Sequence, residues 1–182
     1  EYGDYIPIDW SFLPINQFIK ALKTGNKDAN FSDVNGKYKF FTCSQNTLNC
    51  QSYSFDCDAI LLSGNGELNV KHYSGKFDAY QRVYVIELNN RERYYKAPIY
   101  QATKSEINRF KMISSGSVIK FINRQNVESI RLFKFNNDKV LYSKLNTLLD
   151  QIELNNREIE KLLSLKQELI QLIFSNSIKV NL

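Results

Sequence analysis

Three cysteines and the single histidine are the residues best suited by type to metal chemistry. Cys43, Cys50 and Cys57 recur every seven residues, and His72 follows the last of them by fifteen. Three thiolates and an imidazole could hold zinc, but zinc sites are usually built on C-x2-C pairs, which this sequence lacks. An odd cysteine count in a sequence without a recognisable secretory signal favours reduced thiols in the cytoplasm. We therefore predict no metal site and a cytoplasmic protein.

Acidic residues near a lysine are also typical of metal-dependent nucleases, and here they are Asp56, Asp58, Glu67 and Lys71. Such a site needs an acid and a lysine two residues apart on one strand, so that both reach one metal-bound water. Glu67 and Lys71 are four apart, about 13 Å along a strand at ~3.3 Å per residue. The sequence also has no Gly-rich phosphate loop, nucleophile elbow or S-adenosylmethionine-binding motif. We therefore expect the chain to be non-catalytic.

The excess of basic residues lies in the first three quarters of the chain. The net charge is +5, with 19 basic and 14 acidic residues in positions 1–139 and five of each in positions 140–182. A basic region beside a neutral one favours phosphate contact by the first and protein contact by the second. A small positive charge is equally common as a means of keeping a protein soluble, so charge alone leaves both interpretations open.

Short strands and turns predict a mostly β head, and with the helix described next they predict an α+β fold. Alternating or continuous apolar runs indicate strands, and Gly, Ser and Asn clusters indicate turns. A short helix is expected after Pro98, since proline favours the start of a helix. The expected strands cover residues 38–40, 59–62, 67–73, 80–86, 118–122 and 130–135; the turns cover 63–66, 74–75 and 114–117; the helix covers 99–111.

A heptad repeat predicts one long helix from residue 140. No glycine or proline occurs at positions 140–174, and about 35 residues at ~1.5 Å each give a helix near 50 Å. A head with a radius of gyration of about 14 Å cannot cover it, so we expect pairing with another long helix rather than packing on its own domain. The chain then divides into a head (1–139), a dimerisation helix (140–176) and a tail (177–182). The predicted seam is Leu141, Leu145, Leu148, Ile152, Asn155, Ile159, Leu162, Lys166, Leu169 and Ile173.

Three sequence blocks occur in an order that is specific when taken together. The first is residues 35–44 (NGKYKFFTCS). The second comprises YSFD at 53–56, AILLSGNG at 59–66, VKHYSGKF at 70–77 and AYQR at 79–82. The third is SSGSVIKFI at 114–122, followed by LDQIELNN at 149–156 and the long helix. Together they resemble one target recognition domain, with its helix, of the specificity subunits of type I restriction-modification systems.

The resemblance implies that this chain reads DNA while other subunits modify and cut it. Full-length members carry two such domains whose helices pair antiparallel, so one domain with one helix resembles either a half subunit that homodimerises or a fragment of a longer protein. Each domain would read one half of a split site, with the helices setting the spacing. Expected partners are double-stranded DNA, methyltransferase subunits and, through them, a restriction subunit. No cofactor is expected on this chain; S-adenosylmethionine, ATP and Mg²⁺ are expected on the partners, where adenine is flipped out of the duplex.

Candidate DNA contacts follow from the chemistry of base edges and phosphates. Base edges are read by amide, hydroxyl and guanidinium groups, and phosphates are held mainly by lysine and arginine. Any one of these residues could equally be a solvated surface residue, and Tyr73 could equally be core. The candidates are Thr24, Asn26, Lys27, Ser44, Gln45, Lys71, Tyr73, Lys76, Gln81, Arg82, Ser115, Ser117 and Lys120.

The rival interpretation is a protein-interaction module, in which a β head on a coiled-coil helix binds protein rather than DNA. The two interpretations differ in where the basic groups lie. Clustering on one face of the head would favour DNA, and scattering would favour a protein partner.

Overall fold

The computed structural model describes residues 11–89, 94–115, 121–134 and 139–175, and all structural statements refer to these ranges. Within them, seven strands are followed by three short helices, an eighth strand and one long helix. This order of elements confirms the α+β prediction. The strands are β1 (Ser11–Pro14), β2 (Ile19–Thr24), β3 (Tyr38–Phe41), β4 (Leu48–Cys50), β5 (Phe55–Ser63), β6 (Val70–Ala79), β7 (Val83–Leu88) and β8 (Arg131–Lys134). The helices are α1 (Lys96–Ser105), α2 (Ile107–Ser115), α3 (Arg124–Glu128) and α4 (Lys139–Phe174), with 3-10 turns at Ile15–Gln17 and Ala29–Phe31.

The strands form one large sheet and one small sheet. The large sheet has the order β2-β7-β5-β6-β3-β4, and all of its pairs are antiparallel except β3 with β6. The small sheet pairs β1 with β8, placing Phe12 opposite Phe133. Because β1 and β8 come from opposite ends of the head sequence, this pairing joins the start of the head to its end.

Strand β6 is sharply bent. At its end Ala79 pairs with Phe41 of β3, while just before its start the Asn69 side-chain amide donates to the Cys43 carbonyl at 3.0 Å. Asn69 and Ala79 would be about 33 Å apart along a straight strand, yet they contact residues only two apart, at most about 7 Å. Gly75, at the middle of the strand, has φ +131°, a conformation that other residues rarely adopt. The strand therefore curls the large sheet around on itself.

Two apolar clusters fill the two faces of this sheet. The helix-facing cluster includes Ile60 and Leu62 of β5, with Ile99 of α1 and Phe110 of α2. The second cluster fills the inside of the curl and consists of Phe41, Ala59, Leu61, Phe77, Ala79, Val83 and Val85. Successive residues of β5 thus point to different clusters, which explains why its sequence is a continuous apolar run rather than an alternating one.

Several local predictions need correction. The turn expected at residues 74–75 is wrong, because Gly75 bends β6 without ending it. The strand expected at 80–86 begins only at Val83, since residues 81–82 form a turn. The helix expected after Pro98 begins earlier, at Lys96, and is followed by a separate helix; proline is tolerated in the first turn because its missing N–H has no partner there. The strand expected at 118–122 lies largely outside the described residues.

The predicted unbroken helix is confirmed as α4, which has 36 residues. Contacts divide the chain into one unit ending at Asn146 and another beginning at Thr147, so the first turns of α4 belong to the head unit. There Tyr142 is 2% exposed with its ring 5.0 Å from that of Tyr95, and the Asn146 side chain accepts from the Ala97 N–H at 2.9 Å. No described helix combines the length and apolar character needed to span a membrane.

Candidate nucleic-acid interface

Five short segments meet at one edge of the curled sheet, and we call them together the polar rim: residues 24–28, 42–46, 63–71, 80–82 and 121–123. Backbone hydrogen bonds connect four of the segments, and side-chain hydrogen bonds to residues 43–45 connect the fifth. The Gln81 N–H donates to the Lys27 carbonyl at 2.9 Å, and the Gly64 N–H donates to the Arg82 carbonyl at 2.7 Å. The Ile122 N–H in turn donates to the Gly64 carbonyl at 2.7 Å. The bend in β6 is what brings these segments together.

The first part of the rim joins the loop after β2 to the turn before β7. Thr24 ends β2, Asn26 is exposed, and the Lys27 ammonium lies 4.5 Å from the centre of the Phe31 ring. The Gln81 side chain donates to Asp28 Oδ1 at 3.3 Å. The Gln81 amide and the Lys27 ammonium therefore belong to two neighbouring segments whose backbones are joined by a hydrogen bond.

The second part is the loop after β3, which hydroxyl groups fold into tight turns. The Ser44 N–H donates to Thr42 Oγ1, and Ser44 Oγ accepts from the Asn46 N–H at 3.2 Å. The Lys71 ammonium donates to the Ser44 carbonyl at 2.6 Å. The Gln45 amide donates to Glu67 Oε1 at 3.0 Å, which connects this loop to the 63–71 segment.

The third part centres on Arg82 and residue 121. The guanidinium of Arg82 lies over the ring of Phe121, 5.6 Å from its centre, and both residues are exposed. Phe121 forms an isolated β-bridge with Asn65. The rim thus carries Lys27, Lys71 and Arg82 together with the amide and hydroxyl donors that base edges and phosphates require.

A buried carboxylate anchors the strand that leads into the rim. Glu87 of β7 accepts from Lys20 at 2.6 Å and from Lys23 at 3.0 Å. Burial alone would raise the pKa of Glu87, but the two lysine hydrogen bonds outweigh burial and hold this pKa below its ordinary value. The hydrogen bond between Lys20 and Glu87 also raises the pKa of Lys20. This carboxylate is therefore charged and holds β2 against β7.

Four of the predicted contact residues are not placed in the rim by the structure, and one is only partly described. Lys76 lies on the outer part of β6 with its ammonium 4.8 Å from the Tyr53 ring centre, and its hydrogen bond to Tyr53 raises the pKa of Lys76. Tyr73 packs on the cluster inside the curl. Ser117 and Lys120 lie outside the described residues, and Ser115 ends α2 with its side chain not described. The assignment of each contact stays a prediction.

The cysteines and the histidine occupy separate environments. Cys50 Sγ donates to the Ser52 carbonyl at 3.0 Å and Cys43 Sγ to the Arg82 carbonyl at 3.6 Å. Burial raises the pKa of both thiols and raises the pKa of Cys57 to about 11. His72 is buried with its Nε2 at 2.6 Å from Asp58 Oδ1. Cys43, Cys50 and His72 thus make hydrogen bonds within the head, and burial favours the protonated thiol at Cys57.

Sequence reasoning missed three residues that shape the rim. Asn69 is 9% exposed and its side chain donates to the Cys43 and Glu67 carbonyls. The hydroxyl of the half-buried Tyr84 donates to the Ile122 carbonyl at 2.8 Å, and partial burial raises the pKa of Tyr84. Phe121 supports Arg82 from 39 residues away. The sequence gives no signal for them, because Asn69 falls at a polar position of the alternating pattern at 67–73, and Tyr84 and Phe121 fall within predicted strands.

Comparison with known proteins agrees with the three sequence blocks. The family model described as the type I restriction modification DNA specificity domain matches residues 7–164. The type I restriction enzyme EcoDI specificity subunit of Escherichia coli is 35% identical over 159 residues, covering 86% of this chain and 35% of that protein. The chain thus spans about a third of the length of this curated relative.

Solved structures show the same fold. The S subunit of a type I restriction-modification system from M. genitalium matches with a TM-score of 0.65 and 17% identity, over 94% of this chain and 45% of that one. The HsdS subunit from Thermoanaerobacter tengcongensis matches with a TM-score of 0.52 and 10% identity, over 89% and 42%. At these identities the likeness concerns the fold. The match of the family model over most of the chain shows that this protein belongs to the type I restriction modification DNA specificity domain family.

Proposed function

We propose that this chain recognises a specific double-stranded DNA sequence as a specificity subunit, or half subunit, of a type I restriction-modification complex, reading one half of a split site. The main observation behind the proposal is the polar rim. It brings hydrogen-bond donors from distant parts of the sequence to one edge of the head, where hydrogen bonds hold the segments together. Family membership favours DNA over a protein partner for the head, so the rival interaction module is not favoured.

The rim has the two kinds of group that sequence-specific binding requires. Ammonium and guanidinium groups at Lys27, Lys71 and Arg82 suit phosphates or guanine, and the amides of Asn26 and Gln81 suit adenine. Backbone hydrogen bonds between the segments fix where these side chains begin. A surface fixed in advance loses less entropy on binding, so more of its contact energy can distinguish one sequence from another.

The second part of the proposal concerns α4. Its seam pairs with the seam of a second copy of this chain, which supplies the second recognition head and sets the number of unread bases between the half sites. The seam side chains support this: Ile152, Ile159 and Leu162 are each more than half exposed in the single chain. A run of such residues along 36 helical residues is costly in water unless another helix covers it.

The remaining partners are proposed from the family. Methyltransferase subunits carry S-adenosylmethionine and methylate the DNA, and a restriction subunit that uses ATP and Mg²⁺ joins through them. The chain described here is non-catalytic and supplies the choice of sequence.

The test is selection of duplexes from a pool with a randomised stretch, using the full chain. We expect enrichment of one motif made of two fixed segments separated by a stretch of free bases. Sequence recognition would be contradicted if no motif were enriched and if the affinity for all duplexes fell equally as salt rose. Binding by charge alone gives that behaviour.

A further inference from the structure

Arg82 stands at the centre of the polar rim and is held there by its own backbone. Its carbonyl accepts from the Gly64 N–H at 2.7 Å and from Cys43 Sγ at 3.6 Å. The residue occupies the turn before β7, yet its side chain is exposed. A long side chain therefore starts from a fixed point and ends at the surface where DNA would lie.

The ring of Phe121 fixes the direction of that side chain. Phe121 is held by its bridge to Asn65 and by its neighbour Ile122, whose N–H donates to Gly64 and whose carbonyl accepts from Tyr84. Its ring is 38% exposed and lies 5.6 Å from the Arg82 guanidinium. A planar guanidinium that rests on a ring is oriented before binding, and less side-chain entropy is lost for each hydrogen bond it then makes.

Resting on the function proposed above, we infer that Arg82 reads a guanine in the major groove and that Phe121 is a positioning residue for it. Guanine presents O6 and N7 as neighbouring acceptors, and the fork of an arginine donates to both. A phosphate contact needs positive charge but little orientation of the side chain. The contact of Arg82 with the Phe121 ring orients the guanidinium, and this favours a base edge over a phosphate as its partner. Lys27, with its single ammonium, lacks this fork.

The experiment measures affinity of the full chain for its selected duplex and for copies in which single G·C pairs are replaced by A·T. In wild type, one G·C replacement should weaken binding about tenfold or more, as expected for a bidentate contact. Arg82→Gln should remove this discrimination at that pair only. Arg82→Lys should also lose most of it, although the charge is kept, because lysine cannot form the bidentate contact.

The role of Phe121 is tested through its dependence on Arg82. Phe121→Leu should reduce discrimination at the same pair about threefold, as expected for loss of an exposed cation–π contact, and Phe121→Tyr, which keeps the ring, should retain it. The combined Arg82→Gln and Phe121→Leu variant should discriminate no less than Arg82→Gln alone. An equal Phe121→Leu loss in both backgrounds would overturn the positioning role.

The chain contains a matched control pair. Arg131 lies over the ring of Phe12 at 5.7 Å, and Phe12 is 48% exposed, but both belong to the small β1/β8 sheet. Arg131→Gln and Phe12→Leu should leave discrimination unchanged. If they cause the same loss, the effect comes from surface charge or folding, and the inference is overturned.

Two further outcomes would overturn the assignment of guanine. One is that Arg82→Gln weakens all duplexes equally and lowers the slope of log affinity against log salt by about 0.9, as loss of one phosphate contact does. The other is an unchanged preference in Arg82→Gln while wild type binds specifically. A wild type that enriches no motif would instead contradict the proposed function, and the inference with it.

Discussion

At the scale of single residues, the structure explains most groups that could do chemistry as parts of the framework. Glu87 is 7% exposed, yet it is charged because two lysines from β2 reach it. His72 is paired with Asp58, and each thiol has a raised pKa. The sequence offered His72 and the cysteines as candidates but not Glu87, and the partners of Glu87, His72 and Cys43 are 14 or more residues away, which spacing arguments do not reach.

Glu87→Gln should destabilise the head by about 1–3 kcal/mol near neutral pH, because the hydrogen bonds from two lysines to a buried charge are weakened. The pKa of Glu87 in the folded chain is lower than its ordinary 4.5, so its contribution is full above pH 4.5 and is lost as the pH falls through the lowered value. Urea unfolding of wild type and variant at pH 7 and at pH 3 would measure this. If the difference in the free energy of unfolding between wild type and Glu87→Gln stays constant down to pH 3, the ion-pair explanation is contradicted.

The thiol of Cys57 should react slowly with iodoacetamide in the folded chain. Only the thiolate reacts, and with a pKa of about 11 the thiolate fraction at pH 8 is about one in a thousand. Mass spectrometry after timed labelling would follow each cysteine, with guanidinium-unfolded chain as the control. Labelling of Cys57 as fast in the folded chain as in the unfolded one would show that burial does not protect it.

At the scale of elements, the long helix and most strands were predictable, whereas the bend that forms the rim was not. Periodicity identified α4 and the apolar run of β5 because both follow from which faces are buried. Glycine is the same signal for a turn and for a bend in a strand, so the sequence predicts a turn at Gly75 where the structure has a bend. The rim loops were predictable as polar loops, but their meeting depends on the curl of β6.

Gly25→Ala should disrupt the closure of this curl. A Cβ at Gly25 would lie 2.0 Å from the Ala79 carbonyl oxygen and 2.4 Å from that of Tyr80. Neither backbone group can move without breaking the approach of β6 to β2, so we expect a loss of about 3 kcal/mol or more in the free energy of unfolding. Chemical denaturation would measure it, with Asn26→Ala, the exposed neighbour, as the control. Equal stability of the two variants would show that the closure is loose.

At the scale of the whole molecule, the exposed apolar seam of α4 calls for a second long helix to cover it. The family relatives are two to three times longer than this chain, which spans 35% of one and 45% of another. Self-pairing through the seam of α4 would supply a second head from a second copy. The polar seam positions Asn155 and Lys166 would then fix register at some cost in stability.

Light scattering should give a molar mass near twice the 21.3 kDa of the chain over a range of concentrations. Ile159→Asp with Leu162→Asp should give a monomer, because charges at seam positions oppose pairing. The control, Glu158→Lys with Lys161→Glu, changes neighbouring exposed positions outside the seam and should remain dimeric. A wild type that stays monomeric at high concentration would contradict self-pairing and indicate that the helix pairs with a different chain segment.

The proposed function requires that the head read base sequence and not only DNA charge. The most direct measurement is the ratio of affinities for the selected duplex and for a duplex of the same composition with scrambled fixed segments, at about 50 and 200 mM salt. Both affinities should fall with salt as counterion release requires, while the ratio stays at about a thousandfold or more. A ratio close to one at both salt concentrations would contradict sequence recognition by this chain.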